Sequence, residues 1–591
     1  MKFKSISSDL LVTIVTLIAA FAAVTAAMAS QQPGPGFERY DQAYPEPYAY
    51  PLAQNTARVS VASDGTQANN WSGSSTISAD GRYIAFQSSA SNLVSGDTNG
   101  MTDIFVHDRQ SGETSRVSVA SDGSQANNHS YGPSISADGR YVAFDSSASN
   151  LVDGDTNEIP DIFVHDRQNG ETSRISIASN GDQAHSDSSG ASISSDGRYV
   201  TFMSWASNLV AGDTNDMPDI FTHDRQAGET SRVSLASDGT QTNSSSYEAS
   251  VSADGRYVAF FSFASNLVTG DTNEMPDIFV HDRQTGETNR VSLASDGSQT
   301  NSGSYDVSIS ADGRFVVFAS TANNLVAGDT NGRDDIFVHD RQTGETTRVS
   351  VASDGSQAVG SSSQEPAISA DGRYVTFFSF ASNLAPGDTN NRADIFVHDR
   401  HTGMTLRIPS SPPDFLGNES SYSPSISAGG RVIAFSSRAN NLVVDDTNGF
   451  EDIFVYENLG KLAPALGASD VSLAPTLSWQ ASASAASYEY CYSSVPGPCT
   501  KWNSVGTDTS VTLSGLAPGY TYYWQVRAVN PGGVIEADNA TWWSFTTTTT
   551  AACTWPAYTP PTSATFGDVP MTVGHWSWVE RLANSTVTAG C

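Results

Sequence analysis

Lysine is almost missing from this chain, occurring only as Lys2, Lys4, Lys461 and Lys501. With Lys plus Arg at 30 against Asp plus Glu at 63, the formal charge is −33. That excludes binding nucleic acid through its phosphates, which needs clustered basic side chains. Charged residues are only 16% and hydrophobic ones 38%, so this is not a disordered polyelectrolyte either. Cysteine is absent from the first 490 residues; the four are Cys491, Cys499, Cys553 and Cys591, and none has the CxxC spacing of a zinc site. Beyond the N-terminus no run is long and apolar enough to span a bilayer. Glycine (48) is plentiful, as are Ser, Thr, Asn and Asp, a composition suited to short strands and many turns.

The N-terminus has the parts of a signal peptide. Lys2 and Lys4 precede the apolar run Leu10 to Val24, and Ala27-Met28-Ala29 supplies a small-residue cleavage site before Ser30. Residues 1–29 are therefore expected to direct export, leaving no transmembrane segment and a secreted or cell-surface protein. Residues 30–55 form a Pro/Tyr-rich lead-in. After export, Cys491 and Cys499 would bridge across a Val-Pro-Gly-Pro loop; for Cys553 and Cys591 the sequence leaves the pairing open.

A repeat dominates the next four hundred residues. DIFVHD or a close variant starts at Asp103, Asp161, Asp219, Asp277, Asp335, Asp394 and Asp452, at intervals of 58 or 59 residues. ISADGR accompanies it, with its Asp at 80, 138, 196, 254, 312 and 371 and Gly429 in the seventh copy. In the second unit Ser134–Ser136, Tyr141–Phe144, Asp161–Asp166 and Thr172–Ala178 are strand-like, joined by the Asp-Gly turn at 138–139, a longer loop and the turn at 167–171. No helical apolar period occurs in the unit. Four antiparallel strands at fixed period make a propeller blade. The fourth-strand motif RVS begins at Arg58, Arg116, Arg174, Arg232, Arg290, Arg348 and Arg407, one of them before any complete unit, and the seventh unit lacks its own. Seven blades are completed if Arg58 to Ala62 serves the last, which protects the edges an open array exposes.

These residues resemble the TolB-type, WD-like β-propeller repeat of exported bacterial proteins, on ISADGRFVVF (309–318) and DIFVHDRQTGET (335–346). The family form usually has Ser-Pro-Asp-Gly where this chain has Ser-Ala-Asp-Gly. The resemblance covers residues 56–458. It implies an all-β, seven-bladed β-propeller closed by an N-terminal strand, and no particular partner or activity.

Each blade carries D-x-N-x-x-x-D in the loop between its second and third strands. The sets are Asp97/Asn99/Asp103, Asp155/Asn157/Asp161, Asp213/Asn215/Asp219, Asp271/Asn273/Asp277, Asp329/Asn331/Asp335, Asp388/Asn390/Asp394 and Asp446/Asn448/Asp452. Alternating hard oxygens suit calcium, the one cofactor the sequence suggests. The competing reading is a capped turn in which Asp and Asn bond their own backbone. His107, His165, His223, His281, His339 and His398 share one repeat position, with Tyr456 in the seventh. One per blade, they do not converge as metal ligands would, and are expected to be buried strand residues.

Differences between blades mark a candidate ligand site. Tyr131, Tyr247, Tyr305 and Tyr422 precede the first-strand Ile or Val by four residues, where other blades have Gly73, Ser189 and Gln364. With Trp71, these tyrosines would rim the channel mouth, a setting for sugar or peptide binding; plain loop packing is the alternative. No GxSxG elbow is present and no catalytic residue is assigned.

After Asn458 the pattern changes. Strands are expected at Pro475–Trp479, Tyr488–Tyr492, Ser510–Leu513, Tyr522–Ala528 and Trp542–Phe545. Leu516-Ala-Pro518-Gly-Tyr-Thr-Tyr522 resembles the signature of a fibronectin type III sandwich, implying a β-sandwich over 459–548 with Tyr522 as corner tyrosine and Trp479 in the core. A Thr/Pro linker (549–565) leads to 566–591, which resembles the opening of a surface-layer homology module and implies attachment to cell-wall polymer. The functional expectation is an exported binding or adhesion scaffold taking a protein or glycan ligand on the loop-rich propeller face, without catalysis. A carbohydrate-active hydrolase or lyase on that face is the rival, and a calcium-stabilised spacer the third reading.

Overall fold

The computed structural model describes residues 55–409, 416–482, 485–497, 501–530, 533–538 and 542–549. The signal segment, nearly all of the lead-in and linker, and the surface-layer-like end lie outside them. Among the described residues every regular element is a strand, and no helix is long and apolar enough to cross a membrane.

Seven four-stranded antiparallel sheets give the chain a β-propeller fold. Six are consecutive in sequence. The first runs from Ser72–Ile77 through Tyr83–Ser88 and Asp103–Asp108 to Thr114–Arg116; the next five repeat it. The seventh takes Ser421–Ile426, Val432–Ser437 and Asp452–Glu457 from its own repeat, and Thr56–Arg58 from the front of the chain. Thr56 lies opposite Tyr456 and Arg58 opposite Phe454. This fourth strand is shorter than the sequence suggests because Ser60 leaves the ladder. Its hydroxyl takes the Ile453 N–H at 3.1 Å and donates to Asp452 at 2.6 Å.

The third strands are buried on both faces along nearly their whole length, which is why DIFVHD does not alternate. Within each sheet a phenylalanine of strand two stacks on one of strand three, as Phe86 on Phe105 at 6.0 Å and Phe260 on Phe279 at 6.0 Å. The cores lie between neighbouring sheets. One joins Ile104, Val106 and Val117 to Val142, Phe144 and Phe163; the equivalent core joins Ile84, Phe86 and Phe105 to Val432, Ile453 and Val455. Each such large side chain contributes about 1.5–3 kcal/mol on burial.

Two polar devices repeat from sheet to sheet. Arg167 lies 4.5 Å from the Tyr83 ring of the preceding sheet, and Arg82 lies 4.8 Å from the same ring. Gly139, at φ +73°, presses against that tyrosine so closely that a Cβ would come within 2.1 Å. In addition, backbone hydrogen bonds of 3.0–3.1 Å link the turns after the first strands: Ala79 N–H to Ala137, Ala137 to Ser195, and on through Ala253, Ala311 and Ala370 to Ala428, which donates back to Ala79.

Residues after 458 form a three-stranded and a six-stranded sheet around Leu477, Trp479, Tyr488, Trp524 and Phe545. All five expected strands are present. The Tyr522 hydroxyl accepts the Ala517 N–H at 2.9 Å. Cys491 is buried and disulfide-bonded; Cys499 lies outside the described residues.

Candidate functional site

The loops before the first strand and after the second do share one face. Asn69 N–H donates to Asn92 at 2.9 Å and Asn92 donates back to the Gln67 carbonyl at 2.9 Å. Gln125 reaches from its own loop to Thr98 of the previous blade at 2.8 Å.

The D-x-N-x-x-x-D sets face inward to an arginine. Arg116 lies 3.2 Å from Asp97 and 3.3 Å from Asp103, while Asn99 donates to Asp103 at 3.1 Å and to the Ala126 carbonyl at 2.9 Å. Arg232 stands in the same way between Asp213 and Asp219, Arg290 between Asp271 and Asp277, and Arg348 between Asp329 and Asp335. Arg174 sits at 3.5–3.6 Å from Asp155 and Asp161, and Arg407 at 3.9 Å from Asp388. In the seventh blade Arg58 fills the role, 3.1 Å from Asp446 and 3.6 Å from Asp452. The contacts of Arg58 and Arg174 are charge contacts rather than aligned hydrogen bonds.

The asparagines of these sets cap the loop. Each turns its amide N–H groups into protein. Asn157 donates to the Ala184 carbonyl at 2.8 Å and Asn215 to the Thr242 carbonyl at 2.9 Å. Asn273 donates to Asp277 at 3.2 Å, Asn331 to Asp335 at 2.8 Å, Asn390 to Asp394 at 3.2 Å and Asn448 to Asp452 at 2.8 Å. Their oxygens, the atoms calcium would need, accept a backbone N–H two residues on. Asn99 takes that of Met101 at 2.9 Å, Asn331 that of Arg333 at 3.1 Å, Asn390 that of Arg392 at 2.9 Å and Asn448 that of Phe450 at 3.0 Å. Among the described residues no group of three or more His, Cys, Asp or Glu has a geometry that holds a metal ion. Asn99, Asn157, Asn215, Asn273, Asn331, Asn390 and Asn448 thus all have the capped-turn geometry that the sequence offered beside calcium. The RVS arginine is the partner that spacing alone did not pair with these loops.

The six histidines are buried strand residues. His107 Nδ1 lies 2.9 Å from the Thr114 hydroxyl, which gives its single proton to the Val61 carbonyl at 2.5 Å. The ring nitrogen must therefore be the donor. Burial holds His107, His165, His281 and His398 down to about 4.

The variable positions gather near the start of the first strands, which neighbour one another from sheet to sheet. Tyr247 lies opposite Phe261 and stacks on it at 5.5 Å, with Phe263 edge-on to both rings. Tyr422 meets Phe378 of the preceding blade at 5.2 Å and Phe380 at 6.4 Å. Tyr131 stacks on His129 at 5.8 Å. Trp71 covers Gly73, where a Cβ would come within 3.1 Å of its ring. The Tyr305 hydroxyl is bound to Asp334, which also takes a bond from Gln364 at 3.0 Å. The tyrosines thus make local clusters and not one continuous ring. Phe263 is 50% exposed, Trp205 45% and Phe380 39%. Sequence reasoning missed these three, although they vary at one place, the residue before Ala in S-x-A-(S/N)-N-L.

A carboxylate arc lies beside them. The first strands bulge, and the bulge residue is left-handed in every blade: Ser74, Gly132, Gly190, Glu248, Asp306, Glu365 and Ser423. The bulge frees a backbone N–H, and the preceding blade supplies the acceptor. Gln87 serves Gly132 at 3.0 Å, Asp306 serves Glu365 at 3.3 Å, and Glu365 serves Ser423 at 2.9 Å. Glu248 serves Asp306 and Asp145 serves Gly190. Glu248 and Glu365 are exposed and Asp306 is half-buried. Burial first, and then neighbouring carboxylates, push Glu248 up to about 7 and Asp306 up to about 6; burial alone pushes Asp145 up to about 7.

No family model matches the chain, and no curated protein does. Solved structures do. A putative TolB of Agrobacterium tumefaciens is 15% identical, covering 51% of this chain and 87% of that one, at TM-score 0.31. The periplasmic gluconolactonase PpgL of Pseudomonas aeruginosa is 19% identical over 56% and 83%, at 0.31. The WD40 repeats of RRP9 are 10% identical over 68% and 97%, at 0.35. The likeness is one of propeller fold, and nothing about activity is taken from it.

Proposed function

We propose that the chain is an exported binding scaffold: a closed seven-bladed propeller of the TolB-like kind, carrying its ligand site on the loop-rich face and followed by a fibronectin-type sandwich. The observation that carries the binding reading is where the blades differ. They share their cores, ion pairs and turns, yet vary at the bulge residue, the tyrosine position and the residue before Ala in S-x-A, and there place exposed aromatic rings beside carboxylates. Exposed large apolar side chains rimmed by polar ones mark contact surfaces. Ring closure is supported by the Thr56–Arg58 pairing and by the returning Ala428–Ala79 bond. Export rests on residues 1–29, wall attachment on 566–591.

The D-x-N-x-x-x-D sets are assigned a structural role, with arginine as their cation, in preference to calcium. The test of the binding reading is a glycan and peptide array probed with the full chain and with Phe263→Ala/Phe380→Ala. The expected result is a ligand class retained by the native chain and lost by the variant. Equal profiles would overturn the reading.

A further inference from the structure

The fold treats its repeated and unrepeated carboxylates differently. Asp97 and Asp103 face Arg116, Asp108 faces Arg82 at 2.6 Å, and most of their counterparts are paired the same way. Glu248, Asp306 and Glu365 face no cation in any ion pair among the described residues; the charges acting on Glu248 and Asp306 are other carboxylates. They occupy one repeat position in three consecutive blades, so their charge accumulates on a single arc. Each accepts a backbone N–H from the next blade, which uses part of its acceptor capacity and leaves its charge unbalanced. Of the arginines in the adjoining loops, Arg392 is paired with Glu419 at 3.1 Å and Arg438 with Glu451 at 3.2 Å, and Arg333 is exposed.

Exposed rings stand at both ends of this arc: Phe263 on blade four, packed on half-buried Tyr247 and Phe261, and Phe380 on blade six, packed on buried Phe378 and on Tyr422 of blade seven. Ring faces attract cations, and carboxylates with no cation of their own favour a cationic partner over a neutral one. A neutral sugar would gain from the rings but not from the charge. The arc spans three blades, more than a single ammonium group covers.

We propose that this arc seats a lysine- or arginine-bearing peptide segment of a partner protein, its cationic heads on Glu248, Asp306 and Glu365 and its stems and neighbouring residues against the rings of blades four and six. The proposal rests on the binding reading above and names the ligand class for that site.

The test uses the full chain and a synthetic peptide alternating lysine with leucine and glycine. The same peptide with every lysine acetylated, and a panel of neutral glycans, serve as competing probes. Glu248→Gln/Asp306→Asn/Glu365→Gln keeps an acceptor oxygen for each bulge N–H while removing the charge. Glu171→Gln/Glu229→Gln/Glu287→Gln removes the same charge from exposed positions at the start of the fourth strands, just after the turns. The expected result is saturable binding of the lysine peptide and not its acetylated form, weakened at least about ten-fold by the arc variant and left nearly unchanged by the turn variant. Equal weakening by both variants would mean attraction to net charge alone and overturn the proposal. So would failure of the native chain to bind the lysine peptide. In that case, a neutral glycan captured by the native chain and lost in Phe263→Ala/Phe380→Ala would leave the broader binding reading standing.

Discussion

Ser60 donates its hydroxyl to Asp452, 392 positions further along the chain, at 2.6 Å. Ser118 does the same for Asp103 only 15 positions before it, at 2.5 Å. The bond is the same in a different connection. Gln67 likewise reaches Thr447 at 2.7 Å as Gln125 reaches Thr98 at 2.8 Å. The front of the chain therefore supplies to the seventh sheet what every other sheet receives from its own continuation.

Arg58→Met should accordingly destabilise the propeller by about 3 kcal/mol, the scale for breaking a buried ion pair and stranding its partner. Asp446 and Asp452 would both lose their cation. Arg232→Met should cost a similar amount, but only Arg58→Met should also speed proteolytic cleavage near residues 452–458 by loosening the strand that covers that edge. A native-like melting temperature and digestion pattern for Arg58→Met would refute this.

Gly139→Ala should be strongly destabilising and Gly170→Ala mildly so. Both have positive φ, +73° and +78°, which costs an L-residue about 1–2 kcal/mol. Only at Gly139 would the methyl also strike the Tyr83 ring, at 2.1 Å; at Gly170 nothing lies within 4 Å. Thermal denaturation of the two variants side by side checks the difference, and equal melting temperatures would contradict it.

Acidification should weaken the fold between pH 6.5 and 4. His107, His165, His281 and His398 are neutral in the fold, held down to about 4 chiefly by burial, against about 6.5 in an unfolded chain. A depressed histidine favours folding fully above the unfolded value and loses that advantage as pH falls towards the folded one. At about 1.4 kcal/mol for each pH unit between those two values, a single histidine accounts for up to about 3 kcal/mol. Urea midpoints at several pH values, native chain against His281→Asn, should show a shallower acid decline in the variant. Parallel curves would show that the histidines do not carry the effect.

Calcium should do little. A ligand that binds only the folded state raises the melting temperature, but the D-x-N-x-x-x-D carboxylates already have a guanidinium at 3.1–3.9 Å. Melting curves in EDTA and in millimolar calcium are expected to coincide. A large upward shift with calcium would revive metal binding at these loops.

The propeller fold was legible because a repeat shows each structural position seven times. The turn motif S-x-D-G-R, for example, spells out its bonds: Ser136 donates to Asp138 at 2.7 Å, and Asp138 accepts the Arg140 N–H at 2.9 Å. The ion pairs were not legible, because Arg116 and Asp97 are separated by a strand and a turn and meet only across the sheet. The site was half legible. Tyr247 stood out as a departure from the repeat, but its partners Phe261 and Phe263 lie on the neighbouring strand, and ordinary strand alternation hides them. Glu248 was hidden differently: only the bulge, a shift in register between Tyr247 and Ala249, gives that residue a neighbour in the next blade.

The seam adapts by paired changes. In the seventh blade Val432 stands where other blades have an aromatic ring, and Glu457 where they have Asp. Arg109, with no ring to cover, instead meets Glu457 at 2.5 Å. Arg431, whose counterparts bind that Asp, donates to the Ala481 carbonyl at 2.7 Å.

The backbone bonds from Ala79 through Ala137 and back from Ala428 all run in one rotational sense. Such a circuit has no start, so no single repeat decides how many members it holds. A duplication or deletion of one unit would leave every local sheet intact, yet the circuit would have to be redrawn at a new radius. A chain with six or eight units would have to bring Arg58 and Asp446 together with every inter-sheet core re-angled to match.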